Sequence, residues 1–292
     1  MTSGVITNTG KNLLLQRVGA STKTPISKFK VGIGTTTPVV SDTTLTIKVP
    51  ISGTEQVDDC EATTGWTASA SDSVTLNSTT YKQGIGALNL IKAATGVVTC
   101  SMYKTTTSRD YTSKELWVFV YISSTLYAGI EASSTALEIR FGSDSSNYYY
   151  KTYTKSQLAS GWNYLYFNSS GATGTTGSPS IAACDYTYIS YVTAAAATTT
   201  SAGAFIVDDL KVASSDDYVK IFASGYPTVD TGTREMTTRC VLSSTEANGY
   251  VVSEVGIENT EATPDLYSHD TFTAITKSSL VEIIFELIDT QS

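Results

Sequence analysis

Three groups of residues in this 292-residue chain are of types that could do chemistry. The only histidine, His269, is followed by Asp270 and has serines nearby, the ingredients of a nucleophile activated by a general base. No Gly-x-Ser-x-Gly elbow accompanies it, so no triad is expected and His269 is read as a surface or interface side chain. Carboxylates come in clusters at Asp58-Asp59 with Glu61, at Asp208-Asp209 and at Asp216-Asp217. A glycosidase would need two of them at a defined separation across a sugar cleft, which sequence does not supply. Three readings of these carboxylates stay open: turn and strand-edge residues, glycosidase chemistry, or a structural calcium ion with Glu61 and Asp208 as first ligands, hard oxygens brought together where a sandwich begins and ends.

The third group is aromatic. Trp117, Phe119 and Tyr121 alternate with Leu116, Val118, Val120 and Ile122, so both faces of one strand are apolar, and Trp117 and Phe119 are expected in a core. The run Tyr148-Tyr149-Tyr150-Lys151-Thr152-Tyr153 places tyrosines on both faces of another strand. At least one ring then points away from the core unless another layer covers it, and an exposed phenol suits the C–H face and hydroxyl rim of a sugar. Tyr148, Tyr149, Tyr150 and Tyr153 are therefore the candidate ligand-binding residues.

Strands must position all of these side chains. The chain is rich in Ser and Thr, carries 18 Tyr and 21 Gly, and lacks long Ala/Leu/Glu/Lys helical runs. Between residues 59 and 215, eight short strands are expected, at 87–91, 97–103, 115–122, 136–141, 148–154, 162–168, 186–194 and 204–212. They are separated by Gly/Ser/Asn/Asp clusters, the pattern of a jelly-roll β-sandwich. The flanks differ in texture. One short helix is expected at Asn8 to Val18, then alternating strands at Phe29-Val31-Ile33 and Leu45-Ile47-Val49, and five strand candidates beyond Asp216. Residues 1–58 are too few to bury a core alone. Joined to 216–292 they reach ordinary domain size, so the expected fold is all-β: a split β-sandwich domain with 59–215 inserted.

Charge and cysteines exclude other classes. Nineteen Lys and Arg stand against 27 Asp and Glu, a formal charge of −8 with no basic cluster, which disfavours nucleic acid. The longest apolar run, Leu116 to Ile122, is too short for a membrane helix, so no membrane insertion is expected. The opening MTSGVITNTGKN has no basic and apolar leader pattern, so no secretory signal is expected. Cys60, Cys100, Cys184 and Cys240 lack metal or redox spacing and are expected to be free thiols.

The flanking segments carry a recognisable pattern: Gly32-Ile-Gly-Thr-Thr-Thr-Pro38, Glu254-Val-Gly-Ile-Glu-Asn259, Leu266-Tyr-Ser-His-Asp-Thr-Phe272, Ile275-Thr-Lys277 and a final alternating strand. Together they resemble a group of bacteriophage tail, collar and fibre proteins. The insert, with Asp58-Asp-Cys-Glu61 near its start and Phe205-Ile-Val-Asp-Asp-Leu-Lys-Val212 near its end, looks like jelly-roll carbohydrate-binding modules. The resemblance implies a non-enzymatic virion structural protein, assembled in the host cytoplasm. It further implies other virion proteins as partners, a homotrimer, no required cofactor, and an outward insert that contacts host-surface glycans. Two alternatives are a carbohydrate-binding adhesin outside any virion and a polysaccharide-degrading enzyme.

Overall fold

A computed structural model describes residues 5–11, 13, 23–261 and 263–290. The chain divides into two compact units, Met1–Gly53 with Ser215–Ser292, and Thr54–Ser214. The insert thus starts before residue 59, because Glu55–Asp58 is a strand that pairs with the last strand of the sandwich.

In the split unit the strands are β1 (Val5–Ile6), β2 (Ile26–Gly32), β3 (Lys48–Val49), β16 (Lys220–Ile221), β17 (Thr228–Asp230), β18 (Glu235–Leu242), β19 (Val251–Asn259), β20 (Leu266–Thr276) and β21 (Ile283–Thr290). They form one sheet in the order β1-β20-β19-β2-β16, with β3 on β2, and a second in the order β17-β18-β21. Residues 8–11 and 13 are helical, while the rest of the expected Asn8–Val18 helix lies outside the described residues. Phe29, Val31, Val255 and Ile257 are buried at the centre of the first sheet.

Of the alternating run Leu45-Ile47-Val49, only Lys48–Val49 is strand. The reason is Glu254, whose carboxylate takes the backbone N–H groups of Gly34, Thr46 and Ile47 at 2.8–3.0 Å, in place of a ladder partner. Gly32 and Gly34 make the room: a Cβ on either would stand 2.2 or 2.7 Å from Glu254 Oε1. His269 completes the cluster, with Nε2 3.0 Å from Glu254 Oε2 and Nδ1 2.8 Å from Asp42 Oδ2. It is buried, not a surface side chain, and both ring nitrogens are spent on carboxylates.

The insert holds β4 (Glu55–Asp58), β5 (Thr67–Ala68), β6 (Ser73–Asn77), β7 (Ala87–Ile91), β8 (Thr99–Arg109), β9 (Lys114–Ile122), β10 (Leu137–Asp144), β11 (Asn147–Tyr153), β12 (Gly161–Phe167), β13 (Gly174–Thr176), β14 (Cys184–Val192) and β15 (Phe205–Ser214). A front sheet runs β13-β11-β10-β14-β8-β5, and a back sheet β12-β9-β15-β7-β6 with β4 on β15. Alternation sends Leu137, Ile139, Phe141, Ile189 and Tyr191 inward from the front sheet, and Leu116, Val118, Val120, Ile122, Leu165 and Phe167 inward from the back. The four cysteines are free and buried, and burial pushes the thiols of Cys184 and Cys240 up to about 12. β5 and β13 are absent from the sequence expectation because they are short and polar; β6 is absent too, its Val74 and Leu76 alternating between polar residues in a Ser/Thr-rich stretch.

Two outcomes test the split unit. Joining Gly53 to Ser215 through a short Gly/Ser linker is expected to yield a soluble, cooperatively melting β protein, read by circular dichroism. Burial opposes the charge on His269, but its bonds to Glu254 and Asp42 outweigh that and raise its pKa above 6.5. Burial likewise works against the Glu254 carboxylate, and the bonds from His269 and the three N–H groups hold its pKa below 4.5. The histidine contribution is complete below pH 6.5 and is lost as pH rises through its folded value. The glutamate contribution is complete above pH 4.5 and is lost as pH falls through its own. Stability of this unit is expected to plateau between 4.5 and 6.5. His269→Ala, which strands a buried carboxylate, is expected to cost about 3 kcal/mol in chemical denaturation and to flatten the alkaline limb.

Candidate functional site

The outward face of the front sheet assembles a set of side chains from strands distant in sequence. Strand pairing arranges them in rows across the sheet. One row runs Thr176, Tyr148, Gly142, Tyr186, Thr105, and the next Gly174, Tyr150, Arg140, Tyr188, Tyr103, Thr67. A third carries Thr152, Glu138, Ser190 and Ser101. At about 4.8 Å per strand, the distance from β11 across β10 and β14 to β8 is roughly 14 Å, longer than a single sugar ring.

Arg140 is the centre of this face. Its guanidinium carbon lies 4.3 Å from the ring centroid of Tyr148 and 4.0 Å from that of Tyr188, so the cation is stacked on two rings. Glu138 accepts from Nε. Burial works against the arginine charge, and the bond to Glu138 more than offsets it, so the group stays protonated. Tyr148 and Tyr150 meet edge to face at 6.1 Å, and Tyr103 and Tyr186 are tilted at 6.2 Å. Tyr103 is 41 % exposed, Tyr148, Tyr150 and Tyr188 are half-buried, and burial pushes the Tyr186 phenol up to about 12. Gly142 is required by the close approach of β11: a Cβ there would stand 2.2 Å from the carbonyl oxygen of Asn147.

The four tyrosines singled out from sequence are divided by strand alternation. Tyr148 and Tyr150 lie on the outward face, whereas Tyr149 packs toward Phe141 at 5.4 Å and Tyr153 is buried in the core. Tyr153 is thus corrected to a core residue and Tyr149 to one half-buried against the core: each pairs across from an inward residue of β10, Leu137 and Phe141. Tyr103, Tyr186, Tyr188 and Arg140 are missing from the sequence reading. The alternation Tyr186-Thr-Tyr188 is visible in the chain, but nothing local tells which strand lies beside it.

The back sheet has its own outward aromatics. Trp117 stacks on Tyr166 at 4.4 Å, Phe119 meets Tyr164 edge-on at 5.1 Å and Tyr121 meets Trp162 at 5.5 Å. Trp117 and Phe119 are buried as expected, but on the face opposite the sandwich core, covered in part by these rings of β12.

The carboxylate clusters hold backbone and cations. Asp58 accepts from Cys60 N–H and pairs with Lys104 at 2.5 Å, and Asp209 pairs with Lys211. Glu61 and Asp208, the calcium candidates, converge on one loop: Glu61 Oε1 accepts from Ile85 N–H at 2.9 Å, and Asp208 Oδ2 from Lys82 and Gln83 N–H. Asp208 Oδ1 is buried and accepts no hydrogen bond, which suits a cation ligand. Among the described residues, however, no three His, Cys, Asp or Glu side chains stand together as a metal set.

No family model matches the sequence, and no curated protein matches it. Among solved structures, the chain is similar to a family 11 carbohydrate-binding module from Clostridium thermocellum in complex with a β-1,3-1,4-mixed-linked tetrasaccharide. The identity is 12%, with 56% of this chain and 96% of that one covered, at a TM-score of 0.38. It is similar also to the CBM22-2 xylan-binding domain of Paenibacillus barcinonensis Xyn10C, at 11% identity, 55% and 98% coverage and a TM-score of 0.34. A third likeness is to an exo-β-agarase, at 8% identity, 58% and 26% coverage and a TM-score of 0.36. At these scores none of them bears on what this chain binds.

Asp208, on β15 of the back sheet and apart from the tyrosine face, carries an acid signature of its own. Burial is the main cause of its raised pKa, about 6 against 3.8, and the N–H donors of Gln83 and Lys82 offset it only in part. The ionised carboxylate is therefore a cost above pH 6 that is relieved as pH falls through 6 toward 3.8. In chelator the insert is expected to gain on the order of 2–3 kcal/mol over that window, and Asp208→Asn to remove the slope. The same melts in calcium read whether Oδ1 takes a cation, since a ligated carboxylate stays ionised and the pH dependence disappears.

Proposed function

We propose that this chain is a non-catalytic glycan-binding protein whose contact surface is the outward face of the front sheet. The observation that carries the reading is the set Tyr103, Tyr148, Tyr150, Tyr186 and Tyr188 gathered around Arg140 on one sheet face. Flat phenol rings stack on the C–H faces of sugars. Their hydroxyls, with those of Thr105 and Thr152, offer donors and acceptors to sugar hydroxyls.

The setting we propose is a virion: the split unit docks to neighbouring subunits of a tail, collar or fibre, in a homotrimer, and the insert meets the host surface. This part rests on the sequence resemblance of the flanks alone. An adhesin outside a virion would use the same face, so the glycan-binding reading does not depend on the setting. Each stacked ring contributes on the order of 1 kcal/mol, so single-site affinity is weak and repeated display supplies avidity.

The full-length chain on a glycan array is the direct test. Tyr148→Ala and Tyr188→Ala are each expected to weaken binding to any captured glycan about fivefold, with little change in melting temperature. Tyr149→Ala, half-buried on the core side, is expected to lower stability by about 1–2 kcal/mol and to spare the contact surface. Binding unchanged in both outward variants would sink the assignment of this face.

A further inference from the structure

Resting on the glycan-binding reading, we infer that the front-sheet face selects carboxylate-bearing glycans, uronate polymers, through the terminal edge of Arg140. The guanidinium presents five N–H donors in a plane. Tyr148 and Tyr188 occupy positions over its ring-stacking faces at 4.3 and 4.0 Å, and Glu138 takes Nε. Glu138 is its one hydrogen-bonding partner among the described residues, which leaves the two terminal nitrogens as the outward edge. That edge matches the two oxygens of a carboxylate in a fork, a geometry that a single sugar hydroxyl does not satisfy.

Placement strengthens the pairing. The arginine side chain is 22 % exposed, so the charge is stripped of much of its water while the rings and Glu138 hold it in one orientation. A ligand carboxylate therefore meets a preorganised donor pair. Gly174, in the same row as Arg140, leaves room for the Tyr150 ring, whose hydroxyl oxygen would stand 2.5 Å from a Cβ there, so Tyr150 lies flat along the face beside the arginine.

Two further consequences separate this device from a basic patch. Arg140 and Glu138 are the charged members of the three rows, and the chain as a whole carries −8. The net charge repels a polyanion at long range and salt screens that repulsion, so affinity is expected to hold or rise with added salt, whereas a polycationic surface loses affinity steeply. Glu138 also repels an incoming carboxylate, so Glu138→Gln is expected to tighten binding of the acid form while leaving a neutral sugar unaffected.

Affinity electrophoresis of the full-length chain tests this with polygalacturonate, alginate and hyaluronate, each beside its carboxyl-reduced counterpart. At least one acidic polymer is expected to retard the protein, with the reduced form about tenfold weaker. Arg140→Gln, which keeps donors and loses the charge, is expected to abolish that preference, with circular dichroism confirming the fold. Glu138→Gln supplies a gain-of-affinity readout that misfolding cannot mimic. Equal binding of acidic and reduced forms, or a preference that survives Arg140→Gln, overturns the carboxylate selection and leaves the glycan reading in place. No retardation by any polymer in either form overturns the selection and counts against the glycan reading as well.

Discussion

The insert depends on one closure: the strand that enters it and the strand that leaves it lie side by side. β4 pairs with β15, Asp58 opposite Leu210 and Glu55 opposite Val212. On the other side of the junction, Ile51 N–H donates to the carbonyl of Asp217 at 2.6 Å, and Gly53 takes a positive φ of 76° where a Cβ would collide with the Asp217 carboxylate. Both units thus see the chain leave and return at neighbouring points. Loop-closure entropy grows only with the logarithm of loop length, so a whole sandwich can occupy such a loop without unravelling its host.

That closure shapes β15. One edge of the strand pairs with β9 along most of its length, while the other is shared between β7 at Ile206–Val207 and β4 at Leu210–Val212. The change of partner is made by a bulge at Asp208 to Lys211, where Asp209 adopts a φ of 50°. Asp208 and Asp209, two of the carboxylates that sequence marks as candidates, sit at this irregularity, and Glu61 reaches the same 82–85 loop. Their immediate work is electrostatic, holding the 82–85 loop and the amine of Lys211 where the ladder is interrupted.

The recurring motifs of the flanks have a similar explanation. Gly32 and Gly34 leave space for Glu254, Glu254 collects the N–H groups of the loop that returns to β3, and His269 ties that carboxylate to Asp42. Lys277, from the same pattern, is buried with its amine on Asn248 and the carbonyl of Ser278. Glu254, His269 and Asp42 are spaced far apart along the chain because each solves part of one buried charge problem, and Lys277 is a second one with its own partners. A charged group removed from water needs its partners supplied by the fold.

Local patterning determined the strand chemistry: period-two alternation of apolar residues made the eight expected insert strands legible, each at the site of an observed strand. Turn residues marked their ends, and the change of texture near residues 58 and 215 divides the chain in sequence, whereas the compact units divide at Gly53/Thr54 and Ser214/Ser215. What alternation cannot express is which face is inside and which strands are neighbours. Tyr149 and Tyr150 are adjacent and chemically identical, yet one packs on Phe141 and the other faces outward, a choice made by the opposing sheet. Arg140 is unremarkable in sequence; it becomes the centre of a site only because β14 brings Tyr188 beside it and β11 brings Tyr148. Alternation is a property of each strand alone, whereas neighbours and sidedness come from long-range pairing and burial, and only the tertiary structure decided those.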